Sequence, residues 1–560
     1  MRKTIFTKLS LSFLLAACTL TLSKAQSVSW QWARSAGSTG SEIAEASVLD
    51  PSGNLYVTGW YTSAGIGFGA TTLLNAGAGT SDMYITKYDA LGNVIWAKTF
   101  GGADGEISNC IAADASGDIY VSGWFTSPNF VLGTFTLTNS TAGKTDFFVA
   151  KINSSGNTVW AKSAGGTESD RGYGIALDAS GNVFVTGGFG SSSINFGTGP
   201  MTNSGSATDD FFIVKYNSLG TTQWSRSVGG ANTEAGLSVA TDSLGNAYAT
   251  GRFTSSSINF GTGSHNNANT MQDLFIVKYD AAGTTQWSFS NGGTGDDYGD
   301  DIMVNKQGVY ITGGFTSSSV TFGSTTLNNA ATGLGDVLLA KFNYSGVNQW
   351  AKKAGSSDME WGYDVVSDAA GNIYLCGTFV STTLPFGTTN VNNISPGYRD
   401  MFIASYDAAG NPIWATGAGG SFDEAAYGLA VNAAASEIYV AGFFNSPSVS
   451  FGTNTVTKGC GDDVVVAKMT GPTVGIKEEF YSDNAQLYPN PNAGNFKIKI
   501  KNEIRNGEFV LMNAIGQKVH SQKINEGTSE ISVMGIASGI YNYVLLNNNQ
   551  KIGSGKITIQ

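Results

Sequence analysis

The sequence predicts an all-β fold: a seven-bladed β-propeller of four-stranded blades, its ring closed by the N-terminal strand, followed by a small C-terminal β-sandwich. Three observations predict it. Seven tryptophans, Trp32, Trp96, Trp160, Trp224, Trp287, Trp350 and Trp414, stand 63 or 64 residues apart, and a long repeat at fixed period means a ring or stack of equivalent units. Each copy holds four short runs rich in Val, Ile, Phe and Tyr, bounded by Gly, Asn, Asp and Ser, with no sustained helical periodicity. Beyond about residue 470 the repeat stops and the composition changes.

Within a copy the order is constant. Strand a ends in Asp or Asn, as in Gly174 to Asp178, and a tight turn leads to strand b, as in Asn182 to Gly187. A longer polar segment follows, usually with Phe-Gly, as at Phe196-Gly197. Strand c reads Asp-x-Phe-Ile-x-Lys-Tyr, as in Asp210 to Tyr216, and strand d carries the tryptophan. Strands b and c are apolar on both faces (Val183, Phe184 and Val185; Phe211 to Val214), so both faces need cover, which neighbouring blades supply. The a–b and c–d turns read D-x-x-G-N, as in Asp50 to Asn54 and Asp407 to Asn411. An Asp side chain opens such a turn and Gly takes its positive φ. These runs lack the further spaced carboxylates of a calcium loop.

The first strand, around Val28 to Trp32, is a d strand with no a, b or c before it. The last copy has a, b and c, ending at Asp463 to Lys468, and no d. The two incomplete ends complete one blade and remove an open edge.

The motifs G-N-x-Y-V-x-G-x-F, D-x-F-I-x-K-Y and G-N-x-x-W-A-K resemble the bacterial SBBP β-propeller repeat over residues 30 to 470. The resemblance implies the fold and leaves function open.

Both ends carry address signals. Residues 1–25 read as a secretory signal peptide, with Arg2, Lys3 and Lys8, an apolar run from Leu9 to Ala17, and cleavage between Ala25 and Gln26. Leu15-Ala-Ala-Cys18 offers a rival lipoprotein processing box. No other apolar run is long enough to span a bilayer. The boundaries expected are 1–25 signal peptide, 26–470 propeller, 471–484 linker and 485–560 sandwich. In that last part stand Tyr488-Pro489-Asn490-Pro491, Gly494-x-Phe496, Gly516, and Gly539 with Tyr541, amid alternating strands. These motifs, in this order at a chain terminus, resemble the type A C-terminal sorting domain of the type IX secretion system of Bacteroidetes. The resemblance implies the type IX machinery as a partner and a destination outside the cell, released or held on the outer-membrane surface, by way of the periplasm.

Charge excludes one partner class. Residues 1–25 hold four bases and no acid, and residues 476–560 nine bases and seven acids. The chain's 31 bases and 42 acids therefore leave 18 against 35 in residues 26–475, a net of −17. Such a surface repels nucleic acid. Three cysteines remain after residue 25, Cys110, Cys376 and Cys460, an odd number without metal-ligand spacing.

Two sets of residues are candidates for ligand binding. Ten residues after each tryptophan stands a carboxylate: Glu42, Glu106, Asp170, Glu234, Asp297, Glu360 and Glu424. This suggests an acidic pore mouth, or seven caps on loop N–H groups. At the end of strand b the repeat varies: Trp60, Trp124, Gly188, Arg252, Gly314, Thr378 and Phe443. Trp60, Trp124 and Trp361 offer stacking surfaces for a sugar ring, and Arg252 a charge. The long b–c segments and the d–a connections place these residues on one face, the face expected to bind. Lys87, Lys151, Lys215, Lys278, Lys341 and Lys468, with Ser405 as the exception, read as packing lysines that reach turn oxygens.

Only His265 and His520 follow residue 25. No nucleophile triad, phosphate loop or His-rich metal site is readable, and no cofactor is expected. The expectation is a monomeric, secreted or surface-displayed propeller for binding or adhesion, with a carbohydrate or protein ligand. The alternatives are a carboxylate-based polysaccharide hydrolase, with Asp296, Asp297, Asp300 and Asp301 as its densest acidic cluster, and a purely structural surface component.

Overall fold

A computed structural model describes residues 28–471 except 78, 206, 207, 268 and 270, and residues 485–560 except 501–505, 514–516, 534 and 549. The Ala25–Gln26 junction, the linker and Gly516 lie outside the described residues. The chain divides into two compact units, Met1–Thr473 and Val474–Gln560.

The described residues of the first unit are all-β. Seven four-stranded antiparallel sheets follow one another. In the first, Glu42–Leu49, Leu55–Tyr61, Asp82–Tyr88 and Val94–Phe100 are strands a to d. The seventh takes Glu424–Val431, Glu437–Phe444 and Cys460–Thr470 as a, b and c, and its d strand is Ser29–Ser38 from the other end of the unit. That pairing is antiparallel, with Trp32 opposite Lys468 and Ala33 opposite Ala467. The innermost strands touch in cyclic order, and the a strand of the seventh sheet packs on that of the first.

Each apolar core lies between two sheets, which is why b and c are apolar on both faces. One cluster joins Tyr56, Met83 and Ile85 of the first sheet to Ile119, Val121 and Phe148 of the second. Another joins Val57 and Tyr84 of the first to Tyr439, Ala441 and Val466 of the seventh. The repeated tryptophans tie sheets at their outer strands. Trp32 donates its indole N–H to Ala90 O at 3.1 Å, and Trp96 to Ser154 O at 3.1 Å, each in the c–d turn of the next sheet. Trp414 is the exception: its Nε1 is buried without an acceptor. The next sheet there is the seventh, whose c and d strands come from opposite ends of the unit, so no c–d turn exists to supply a carbonyl.

The turns are Asx turns. Asp50 Oδ1 accepts from Ser52 N and Asn54 N, both at 2.9 Å. The c-strand lysines end there: Lys87 Nζ lies 3.1 Å from Asp50 Oδ2 and 4.7 Å from the centre of the Tyr56 ring. Lys341 Nζ donates to Ala408 O at 3.2 Å.

The b–c segments differ from the long free loops expected. Each folds into its own two-stranded hairpin, such as Gly65–Phe68 with Thr71–Leu74. Ile66, Phe68 and Leu73 of that hairpin are buried in the core beside Tyr84 and Tyr88. Alternating apolar residues in the segment drive this docking. The segments therefore extend the sheets and leave less open loop than their length implies.

In the second unit, Ala485–Tyr488, Asn495–Ile500 and Gly527–Ser532 form one sheet. Lys518–Ile524, Gly507–Met512, Gly539–Asn547 and Gln550–Ile559 form the other, in that order. Phe496, Ile498, Phe509, Leu511, Leu545 and Ile557 share one core between them. The Tyr488–Pro489 and Asn490–Pro491 peptide bonds are cis. Asn490 straps this segment to the terminal strand, accepting from Thr558 N at 2.8 Å and donating to Lys556 O at 3.1 Å. Gly494 has φ +90°, and its N–H closes onto Asn492 Oδ1 at 2.8 Å. The Tyr541 hydroxyl donates to Ala537 O at 2.7 Å.

Candidate functional site at the central cavity

The seven carboxylates one residue into the innermost strands are not a pore mouth. Glu42, Glu106, Asp170, Glu234, Asp297, Glu360 and Glu424 all have zero solvent exposure. Each takes a loop N–H four residues upstream or a serine at the end of strand b. Glu106 accepts from Gly102 N at 2.8 Å, and Glu424 from Gly420 N at 2.8 Å and Ser446 N at 3.1 Å. Asp170 and Asp297 accept from the hydroxyls of Ser191 and Ser317 at 2.7 and 2.6 Å. Glu42 meets Ser63 and Ser38 N. Capping of the d–a connection occupies these carboxylates, apart from Glu106 Oε1, which is buried without a hydrogen-bond partner, and burial leaves them no face for a ligand.

A second buried carboxylate stands beside each, at the start of strand c: Asp82, Asp146, Asp210, Asp273, Asp336, Asp400 and Asp463. One oxygen of each of these seven has no hydrogen-bond partner. Desolvation raises Glu42, Asp146, Asp210 and Asp463. Glu106 is pushed up to about 8, Asp170, Glu234, Glu360 and Glu424 to about 7, and Asp297 to about 6. Asp82 and Asp400 are pushed to about 6 and Asp273 to about 7, again chiefly by burial.

The side chains that do reach open space sit three residues further along. Every innermost strand carries a β-bulge at one register. Glu45, Asn109, Tyr173, Leu237, Asp300, Tyr363 and Tyr427 are skipped in the ladders to the b strands. A bulge bends its strand and re-aims the extra residue. Here all seven extra residues are half-buried and line one cavity of about 400 Å³ between the innermost strands. The glycine of the V-x-G-x-F motif makes the bulge fit. A Cβ on Gly59 would lie 1.9 Å from Ile43 O, and on Gly377 1.9 Å from Trp361 O.

Sequence reasoning missed this ring because a skipped residue looks like any other. The usable signal was the glycine repeated near the end of strand b, facing a position, thirteen residues after each tryptophan, that holds five residue types in seven copies.

Trp60, at the end of a b strand, and Trp361, second in an a strand, meet this ring. Trp60 Nε1 donates to Glu45 at 2.8 Å, and Trp361 Nε1 to Asp300 at 2.5 Å. Trp361 lies against Gly314 of the preceding sheet, where a Cβ would be 2.5 Å from its ring. Arg252 stands 5.2 Å from the centre of the Tyr298 ring of the next sheet. Trp60, Trp124, Arg252 and Trp361 are half-exposed, whereas Gly188, Gly314, Thr378 and Phe443 are buried. The structure thus brings Trp60 and Trp361 to the cavity carboxylates and keeps the seven capping carboxylates away from it. Of the acidic cluster read from sequence, Asp300 and Asp301 line the cavity, Asp297 is a buried cap, and Asp296 accepts Gln272 N at 3.0 Å.

Deeper in the cavity Asp301 and Asp364 are hydrogen-bonded to each other, and both are raised by desolvation. Asp301 also accepts from Ser238 Oγ at 2.6 Å and Val365 N at 2.9 Å, and Asp364 from Leu429 N at 2.7 Å. The chain of bonds runs across four adjacent innermost strands. Among the described residues, no group of three or more His, Cys, Asp or Glu could hold a metal ion.

Comparison with known proteins bears first on the second unit. Residues 486–560 match the secretion system C-terminal sorting domain. They are a type IX secretion sorting domain. The chain is therefore exported by that system, to the cell surface or the medium. Among the described residues no helix is long and apolar enough to cross a membrane.

Two curated proteins are similar to parts of this chain. An uncharacterized WD repeat-containing protein, L264, of Acanthamoeba polyphaga mimivirus is 24% identical over 439 residues, which is 64% of this chain and 32% of the viral protein. Regulatory protein FlaEY of Caulobacter vibrioides is 26% identical over 110 residues, 20% of this chain and 12% of that protein. The chain thus spans a third or less of the curated relatives it matches. Among solved structures, Sqt1 from Chaetomium thermophilum aligns at a TM-score of 0.37 and 10% identity, covering 80% of this chain and all of that one. PorZ, a surface component of the type IX secretion system of Porphyromonas gingivalis, aligns at 0.15 and 8%, covering 94% and 100%.

Proposed function

We propose that residues 28–471 are a seven-bladed β-propeller of SBBP type that serves outside the cell as a binding or adhesion module. Its ligand is a protein or a carbohydrate engaged at the cavity between the innermost strands. One observation carries the reading: seven bulges at one register direct seven side chains, of five different types, into a single cavity. The frame around them repeats closely. A symmetric frame with one varied ring gives an asymmetric ligand an asymmetric site on a rigid support. A volume of about 400 Å³ lies within the range of ligand sites. The sorting domain supplies the extracellular setting and the secretion machinery as a transient partner.

The hydrolase alternative loses support at the same place. One acid pair in the cavity, Asp301 and Asp364, is directly hydrogen-bonded. A glycosidase pair needs roughly 5–10 Å for substrate or water.

The test is a glycan array and a protein pull-down with the full chain beside a Tyr173→Ala, Tyr363→Ala variant. Ligand retained by the parent chain and lost by a folded variant is the expected result. Ligand capture that the variant keeps at full strength places the site elsewhere.

A further inference from the structure

We propose that the cavity takes a cationic nitrogen: an ammonium or guanidinium group, carried by a lysine or arginine side chain of a protein ligand or by a free polyamine. The proposal rests on the reading of this cavity as the ligand site.

The cavity lining holds four carboxyl groups, Glu45, Asp300, Asp301 and Asp364, and no Lys, Arg or His. Asp301 and Asp364 are occupied with each other and with groups of the neighbouring strands. Glu45 and Asp300 are not. Each accepts a single hydrogen bond, from Trp60 and Trp361, which fixes its orientation and leaves its second oxygen unused. Around the ring of strands these two acids bracket Tyr427 and Tyr363, whose rings meet edge-on with centroids 4.8 Å apart. Acid, tyrosine, tyrosine, acid is therefore a continuous arc over four adjacent innermost strands. An ammonium group carries only donors and is drawn both to carboxylate oxygens and to aromatic faces. An anionic ligand would meet four carboxyl groups and no lining base.

The charges around the arc are mixed, and they stand outside the lining. Arg252 pulls Asp300 down while Asp301 pushes it up. Arg399, Asp423 and Asp462 act on Tyr427 together with Glu45, and Arg399 is paired with Asp423 at 3.3 Å. Burial raises both free acids, Asp300 to about 7. An entering cation favours their charged forms. Binding then releases protons in mildly acidic solution and tightens as pH rises.

Calorimetric titration of the full chain with spermidine, and separately with Nα-acetyl-lysine methylamide, at pH 6 and pH 8 tests this. Cellobiose is the neutral probe. At least one amine is expected to bind, about tenfold more tightly at pH 8 than at pH 6, as the charged fraction of an Asp300 raised to about 7 rises between them, and cellobiose is not. Glu45→Gln and Asp300→Asn keep an acceptor for the indole N–H, and each should weaken amine binding about tenfold or more while the melting temperature stays near that of the parent. Preference for spermidine marks a polyamine as the source, and preference for the lysine derivative a protein side chain. Three results overturn the proposal: neither amine binds; both variants retain amine binding; or affinity falls as pH rises. If amines fail while Tyr173→Ala, Tyr363→Ala still abolishes capture of a glycan or protein, the ligand class is wrong and the site stands. If that variant leaves capture intact, the site itself is wrong.

Discussion

Trp361 and Asp300 lie on adjacent innermost strands, and the indole N–H of Trp361 donates to Asp300 Oδ2 across 2.5 Å. The contact is possible because the preceding sheet offers Gly314 beneath the ring, with no Cβ to block it. Gly314→Ala should therefore destabilise the protein by about 1–3 kcal/mol, the usual cost of overpacking. Trp361→Ala should remove most of that penalty in the double variant, with a coupling of about 1 kcal/mol or more. Denaturant melts of the four proteins measure it. Additive effects of the two substitutions would mean that the ring does not rest on the glycine.

The double row of buried carboxyls sets a pH dependence. Burial raises Glu106, Asp170, Asp273 and Asp400 to about 6–8 in the folded state, above the usual carboxylate range near 4. Groups raised in this way bind protons more readily in the folded state. Their favourable contribution is complete below about pH 4 and is lost as pH rises through 6 to 8. Asp50, Asp114, Asp242 and Asp407, lowered by their turn hydrogen bonds against the opposing pull of burial, act in the other sense below pH 4. Melting temperature should peak between about pH 4 and 6 and fall by several degrees towards pH 8.5. Glu106→Gln should flatten the alkaline side. A melting temperature that rises steadily to pH 8.5 would contradict this account.

The seventh sheet borrows its outer strand from the start of the unit, with Trp32 opposite Lys468. Deleting residues 27 to 36 should uncover the edge of Cys460–Thr470 and remove the Trp32 side chain from its core. Aggregation, or a large loss of melting temperature, is the expected outcome. A soluble deletion variant with unchanged melting would show that the pairing adds little.

Much of this frame was legible in the sequence, and the reasons are local. Turn chemistry is written in adjacent residues, so Asp50 to Asn54 announces its own geometry. The incomplete ends, Val28 to Trp32 and Asp463 to Lys468, complement each other by simple counting. Exposure is not local. Glu106 reads as a plausible surface acid, yet Ser127, Gly102 and the neighbouring sheet enclose it. The ring of bulges was hidden for a related reason: the skip at Glu45 exists only in the pairing of two strands, although Gly59 across from it is visible in the chain. The hairpin at Gly65–Leu74 was missed because its alternation spans only a few residues.

Residues 486–560 carry the export signal. Removing residues 485–560 should leave the first unit folded, since the two units have separate cores, and should hold it in the periplasm. Fractionation and immunoblotting distinguish the outcomes. Normal amounts of truncated chain in the medium would mean that another segment directs export.

The binding face proposed above is the one where the varied side chains gather. Trp60 and Trp124 close strand b at the end where the bulged residues and the d–a connections lie, and Trp60 holds Glu45 towards the cavity. Trp60→Ala should weaken ligand binding by about 1 kcal/mol or more, partly through lost ring contact and partly through release of Glu45. Trp124→Ala should weaken it by ring contact alone. Ser52 and Leu91 stand in the tight turns at the other end of the strands, where Leu91 is 71% exposed. Substituting either with Ala should leave affinity unchanged, because neither borders the cavity. Titration of the four variants against whichever ligand the array or pull-down returns decides between the two ends. Loss of affinity in the turn variants, with full affinity in both tryptophan variants, would move the site to the turn face.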